Sequence, residues 1–326
     1  MLFILGVIAG VIITSVLLAV AFGPREPVDE TITFNPRKIG KDVVAYLAKR
    51  ESEIPNIRTG AEKEVIWHDP STKKTTSIAI VYLHGFGASK EEVRPLPDIV
   101  ANAFNANIYY ARLSGHGRDG PAMAEPTAND WFNDTAEALA IGRRIGKKII
   151  VISTSTGGTF TGWAATKPKM MKDVVGLVFI SPNFAINGAT APIITLGFAR
   201  RWIPPLFGKN KIGHASNRGH KRWWTINYPI VAVLPLGAVV KFVRKLAFEK
   251  VTTPALFVFH AYDTVIRPDA VRKIALRWGK NTDTASHSFA VVSSKKIDKH
   301  VIAGRIFSPA NTQPLADQII AWIKNL

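Results

Sequence analysis

Residues 147–158 read KKIIVISTSTGG. A run of β-branched residues ends abruptly in six small polar ones, the pattern of a buried strand that turns sharply at its end. Ser155 stands within that turn, with Ser153 two places before it and Gly157 and Gly158 just after it. Such a stretch can be an ordinary turn. It can also hold a serine on a bend so tight that its Oγ projects freely, which requires small neighbours at −2 and +2. Glycine is the usual residue at −2, and serine replaces it here. The surrounding chain has to decide between the two readings.

Outward from that stretch, strands and helices alternate. Residues 64–68 and 75–83 read as strands, and 107–113 (NIYYARL), 147–152, 174–180 (VVGLVFI), 255–260 (ALFVFH) and 287–292 (HSFAVV) follow with the same β-branched and aromatic bias. Helical patterns lie between them at about 91–104, 128–146, 156–166 and 269–279, with a last one over 313–326. Strands alternating with helices imply a mostly parallel sheet covered on both faces. The alternation breaks over 183–248, which is rich in Trp, Pro and Gly and has no clean strand, as expected of an insertion.

In such sheets ligands sit beyond the carboxyl ends of the strands. Four loops at that end carry polar or glycine-rich signals: HGFGAS (84–89), STSTGG (153–158), AYDTVIRP (261–268) and DKHVIAG (298–304). A serine nucleophile needs a base, a group that orients the base, and donors for the developing oxyanion. Asp263 and His300 each follow a strand of their own, so a parallel sheet would bring Ser155, Asp263 and His300 together in that chain order. Asp269 reads instead as a helix N-terminal residue, His287 as part of a strand, and His84 and His116 as organisers of glycine loops. His68, His214, His220 and His260 show no metal-ligand spacing, and there is no cysteine, so neither disulfides nor thiolate metal sites are available.

Over residues 75–325 the chain resembles the α/β-hydrolase superfamily. The runs HGFGAS, SGHGRDG (114–120), STSTGG, HAYDTVIRP and DKHVI look like those of carboxylesterases and monoacylglycerol lipases. The resemblance implies an α/β-hydrolase fold, a mostly parallel sheet flanked by helices with a cap insertion. It also implies Ser155 as nucleophile, Asp263 as acid, His300 as base, and the backbone N–H groups of Phe86 and Thr156 as the oxyanion hole. No metal or organic cofactor is implied. Related dehalogenases and epoxide hydrolases carry aspartate at the strand-to-helix bend, the elbow, where Ser155 stands, so serine favours acyl transfer. The scissile bond could be an ester, a thioester, an amide or an activated carbon–carbon bond, and a non-catalytic membrane- or partner-binding protein of the same fold stays open.

Charge and hydropathy add a setting. The first 22 residues carry no charged side chain, and at about 1.5 Å per residue they can cross a hydrocarbon core of roughly 30 Å. Without a basic n-region they read as an uncleaved single-pass anchor in preference to a signal peptide, although Ala19-Val20-Ala21 fits a cleavage site. The side of the membrane is left open. Residues 1–23 are thus assigned as anchor, 24–60 as linker and leading helix, 61–182 and 251–326 as the two parts of the core, and 183–250 as cap. The net charge is +18, and residues 174–248 supply ten basic residues without one Asp or Glu. With Trp202, Trp223, Trp224 and the run YPIVAVLPLGAVV, that cap could line a pocket for an apolar acyl chain and lean on anionic head groups; equally, its apolar residues could pack it onto the sheet with the charges solvated, and an acidic substrate is a third reading. No nucleic-acid module accompanies the charge. The expected partners are a small-molecule or lipid ester and a membrane.

Overall fold

The computed structural model describes all residues except 281–286, Ser293, Lys295 and Lys296. In chain order the strands are β1 (Glu64–Ile66), β2 (Thr76–Leu83), β3 (Asn107–Tyr110), β4 (Gly146–Thr154) and β5 (Val174–Ile180). A short ribbon of β6 (Asn210–Lys211) and β7 (Tyr228–Pro229) follows, then β8 (Ala255–His260) and β9 (His287–Val292). The helices are α1 (Leu2–Phe22), α2 (Val43–Ser52), α3 (Leu96–Ala103), α4 (Ala128–Ile145), α5 (Thr156–Ala165), α6 (Ala199–Phe207), α7 (Arg218–Trp223), α8 (Val233–Val243), α9 (Pro268–Arg277) and α10 (Pro309–Ile323). His287 opens β9, as its pattern implied, whereas Ser293, Lys295 and Lys296 of the loop after it lie outside the described residues.

Among the described residues the main sheet has seven strands in the order β1-β3-β2-β4-β5-β8-β9. Only the edge strand β1 pairs antiparallel. The parallel strands therefore end on one side, where the loops after β2, β4, β8 and β9 converge. Alternate residues explain the two cores. Ala79, Val81, Leu83, Ile149 and Val151 face α4, α5, α8 and α9, whereas Ile80, Tyr82, Ile150, Ile152 and Val178 face α3 and α10. Burial of each Val, Leu or Ile among them stabilises by about 1.5–3 kcal/mol, so these central strands form a rigid base for the loops.

Three local features differ from the sequence reading. The helix expected over 91–104 is split into a 3-10 turn (Lys90–Glu92) and α3, because Pro95 and Pro97 lack the N–H that a continuous helix would use. The linker after the anchor is strapped down: Thr33 and Phe34 donate backbone N–H bonds to Asn133 Oδ1 at 2.9 and 2.7 Å, and Glu30 takes Trp163 Nε1 and Lys167 Nζ at 2.9 Å each. Within the expected cap, α8 turns Leu236, Val239, Val240 and Val243 into the main core beside α5. Its apolar run is core-building as well as pocket-building. At the other end of the chain, Phe3–Phe22 is long and apolar enough to cross a membrane and is not covered by the rest of the protein.

Candidate active site

β4 ends at Thr154 and α5 starts at Thr156, which leaves Ser155 to make the whole reversal. It does so at φ +50° and ψ −115°, a conformation that side chains rarely adopt. Strain of this kind costs about 1–3 kcal/mol and persists only when neighbours over-determine it. Here the Ser155 N–H donates to the Ile180 carbonyl at 3.0 Å, and the Ser155 carbonyl accepts from Asn183 N–H at 2.9 Å. Glycine is required just after the bend. A Cβ on Gly157 would lie 2.2 Å from the Leu83 carbonyl oxygen, and one on Gly158 would lie 2.7 Å from Pro182 Cβ. At −2, Ser153 is fully buried and its hydroxyl donates to the Val178 carbonyl at 3.2 Å, so the non-glycine residue fits without an unpaired polar group.

The three residues expected to converge do so. His300 Nε2 is 3.0 Å from Ser155 Oγ, and His300 Nδ1 is 2.8 Å from Asp263 Oδ2. The other carboxylate oxygen, Asp263 Oδ1, accepts the N–H groups of Val265 (2.8 Å) and Ile266 (3.0 Å), which fixes the plane of the group. Burial disfavours the imidazolium of His300. The hydrogen bond and charge of Asp263, aided by Glu92 and Asp298, outweigh it, so its pKa lies above the usual histidine value. Asp269 takes the other role foreseen for it, in the first turn of α9 with Arg267 as ion-pair partner at 2.8 Å.

Phe86 and Thr156 flank the serine with backbone N–H groups that have no hydrogen bond among the described residues. Thr156 opens α5, so its amide also carries the positive end of that helix. The loop bearing Phe86 is shaped by two histidines. His84 Nδ1 is 2.8 Å from the Gly85 carbonyl and its Nε2 accepts Leu113 N–H at 3.1 Å, while His116 Nδ1 is 3.0 Å from the Ser114 carbonyl. Burial lowers their pKa values to about 3 and about 4, so both are neutral spacers.

Two residues that the sequence did not single out also face this centre. Glu92 is 2% exposed; its Oε2 accepts the Gly85 N–H at 2.7 Å and the Tyr82 hydroxyl at 3.0 Å. Burial pushes its pKa up to about 6, against the opposing pull of the Gly85 bond and the His300 charge. Asn183 is 4% exposed, lines the same cavity, and its amide oxygen has no partner among the described residues. Neither has a strand-end glycine signature, and in the charged run SKEEVRP nothing local marks Glu92 as buried.

The centre opens into a cavity of about 630 Å³. Ser155, Thr156, Phe86 and His300 lie at its base, and Ile186, Ile194, Ile203, Val233 and Leu236 make its walls largely apolar. Of the three tryptophans expected there, only Trp224 lines it. Trp202 packs against the small core around Ile203 and Leu234 and donates its indole N–H to the Gly197 carbonyl at 2.9 Å. Trp223 lies over Gly60 and stacks with Arg222, whose guanidinium is 4.6 Å from the ring centre. Trp223 ends α7 while Trp224 follows it in extended backbone, and of the two only Trp224 faces the pocket. Among the described residues no three of His, Asp or Glu cluster as metal ligands.

Comparison with known proteins agrees with this fold. The family model described as "Alpha/beta hydrolase family" matches residues 80–295, about two thirds of the chain. A thermostable monoacylglycerol lipase of Bacillus sp. (strain H-257) is 23% identical over 200 residues, 61% of this chain and 76% of that protein. Among solved structures, one from work on the metagenome-derived lipolytic enzymes LipS and LipT superposes with TM-score 0.64 at 20% identity, covering 83% of this chain and all of that one. A soluble variant of the monoglyceride lipase of Saccharomyces cerevisiae gives TM-score 0.60 at 13% identity, over 81% and 91% of the two chains. With sheet order, elbow and family model in agreement, the chain belongs to the alpha/beta hydrolase family and is a hydrolase.

Proposed function

We propose that the chain is a serine hydrolase that cleaves carboxylic esters with an apolar acyl part, in the manner of carboxylesterases and monoacylglycerol lipases. One observation carries the reading: a continuous hydrogen-bonded line from Ser155 Oγ through His300 to Asp263, at 3.0 and 2.8 Å, at the base of a largely apolar cavity. The similarity to a Bacillus monoacylglycerol lipase supports an ester over an amide.

In this mechanism His300 Nε2 takes the Ser155 proton as Oγ attacks the acyl carbonyl, and Asp263 holds the ring with Nδ1–H toward itself. The amides of Phe86 and Thr156 receive the oxyanion, each worth on the order of 3 kcal/mol. The imidazolium then protonates the departing alcohol. Water, deprotonated by the same imidazole, attacks the acyl-enzyme and frees the acid. Residues 183–250 act as the cap over the cavity between the core segments 61–182 and 251–326. Residues 1–23 act as a single-pass membrane anchor, which suits an enzyme whose substrate partitions into lipid, and 24–60 strap that anchor to the core.

The test uses the full chain in detergent. It should hydrolyse p-nitrophenyl butyrate and octanoate in preference to the matching anilides, and a fluorophosphonate probe should label it. Ser155→Ala should lose both properties. Labelling that survives this substitution refutes the assignment, and faster cleavage of the anilides moves the reading to an amidase.

A further inference from the structure

Where α1 ends, the chain builds a small basic cleft that the hydrolytic centre does not use. It holds about 190 Å³ and is lined by Arg25, Lys241 and Lys245, with Thr195 at its side and Val28, Ala238 and Phe242 as an apolar floor. Arg244 adjoins it along the wall shared with Lys241. Lys241 Nζ lies 3.3 Å from Thr195 Oγ1, and Arg25 caps the Ala21 carbonyl of α1 at 2.8 Å. Arg244 and Lys245 are both exposed at the rim of the cleft. The one carboxylate in the cleft, Glu26, is held by Arg200 through two bonds of 2.8 and 2.6 Å, so it does not neutralise the cluster. The cations press on one another: partial burial and the charges of Arg25, Lys245 and Arg244 lower the pKa of Lys241.

The cleft is also fastened to the end of the anchor. Gly197 N–H donates to the Val20 carbonyl at 2.8 Å and Phe198 N–H to the Pro24 carbonyl at 2.7 Å, so one free carbonyl of the last helical turn and one just beyond the helix end are taken by the loop leading into α6. A Cβ on Gly23 would fall 2.4 Å from the Phe198 ring, which shows how closely the two segments meet. A helix spanning Phe3–Phe22 fills a hydrocarbon core of roughly 30 Å. Arg25, three residues beyond Phe22, then stands at the level of the head groups.

From this we infer that the cleft of Arg25, Lys241 and Lys245 binds the phosphate of an anionic glycerophospholipid, with its glycerol and first acyl carbons on Val28, Ala238 and Phe242. The apolar floor and the position beside the anchor select a lipid phosphate over a free one. Bound in this way, the lipid holds the cap against the bilayer surface. The inference rests on the reading of α1 as a membrane anchor and is independent of whether Ser155 is the nucleophile.

The experiment is native mass spectrometry of the full chain in detergent with dioleoyl-phosphatidylglycerol or dioleoyl-phosphatidylcholine added. The anionic lipid should be retained and the zwitterionic one lost. At about 1 kcal/mol for each cation at an anionic surface, the triple variant R25Q/K241Q/K245Q should lose on the order of a hundredfold in retention, and K245Q alone about fivefold. A charge-matched control far from the cleft, K147Q/K148Q/K169Q, should bind as the parent does. Unchanged melting temperatures exclude misfolding, and K245Q at an exposed site keeps the test valid should the triple variant unfold. Equal retention of both lipids, an equal loss in the control, or displacement of the lipid by millimolar inorganic phosphate each overturns the inference. Release of the chain from membranes by alkaline carbonate refutes the anchor reading and this site with it, whereas loss of fluorophosphonate labelling alone would touch only the hydrolase.

Discussion

Glu92→Gln separates stability from activity at the same position. The carboxyl is buried behind the Phe86 loop, and its pKa stands at about 6 against an ordinary 4.5. Such a rise corresponds to about 2 kcal/mol of burial cost on the ionised form. Between pH 4.5 and 6 the folded chain keeps a proton that the unfolded chain has released, so this group's contribution to stability is full below 4.5 and is lost as pH rises through 6. Glutamine has the same shape, and its carbonyl can still accept from Gly85 N–H and Tyr82 Oη, but it carries no charge. Chemical denaturation at pH 8 should therefore find the variant more stable by up to about 2 kcal/mol, with the advantage gone near pH 4.5. Activity should move in the opposite sense. Glu92 is one of the charges that raise the pKa of His300, so its loss lowers that pKa. A general base works only when neutral, so the acid limb of kcat/KM for a p-nitrophenyl ester should shift to lower pH. The variant's neutrality also removes electrostatic support from the imidazolium, and kcat should fall. A variant destabilised equally at pH 8 and pH 4.5 would show that the carboxylate is bound without burial cost. An acid limb that stays in place would show that Glu92 does not reach His300, and either result refutes the reasoning.

Other predictions follow from the same geometry. Asp263→Asn keeps one oxygen for the Val265 and Ile266 amides but turns an NH₂ toward His300 Nδ1, so kcat should fall by about 10⁴ with little change in melting temperature. Gly157→Ala would set a Cβ 2.2 Å from the Leu83 oxygen and 2.8 Å from that of His84. Because these are backbone atoms, the cost should be at least about 1–3 kcal/mol in denaturation, and displacement of the Phe86 loop should lower kcat/KM by roughly a hundredfold. Val233→Trp narrows the apolar wall, so KM for long-chain esters should rise while butyrate hydrolysis is retained; equal loss on both would mean that the acyl chain lies elsewhere.

The sequence by itself determined the sheet, the elbow and the order of the three polar loops. Period-two burial and strand length are local properties, and a parallel sheet leaves little freedom in where its loops end. Ser155, Asp263 and His300 are legible for that reason, since each lies in the loop that follows its own strand. The tertiary structure alone decided the rest. In KEEVRP, Glu92 reads as one more solvated charge, but the 3-10 turn before Pro95 folds it under Gly85 and beside Ser155. Trp202, Trp223 and Trp224 are equally apolar, yet only Trp224 meets the cavity. The strap from Glu30 to Phe34 looked like a free linker because its bonds go to Asn133, Trp163 and Lys167, about a hundred residues or more away. Composition and periodicity report how much a side chain gains by leaving water. Which partner receives it is set by contacts between segments distant along the chain, and those exist only once the chain has folded.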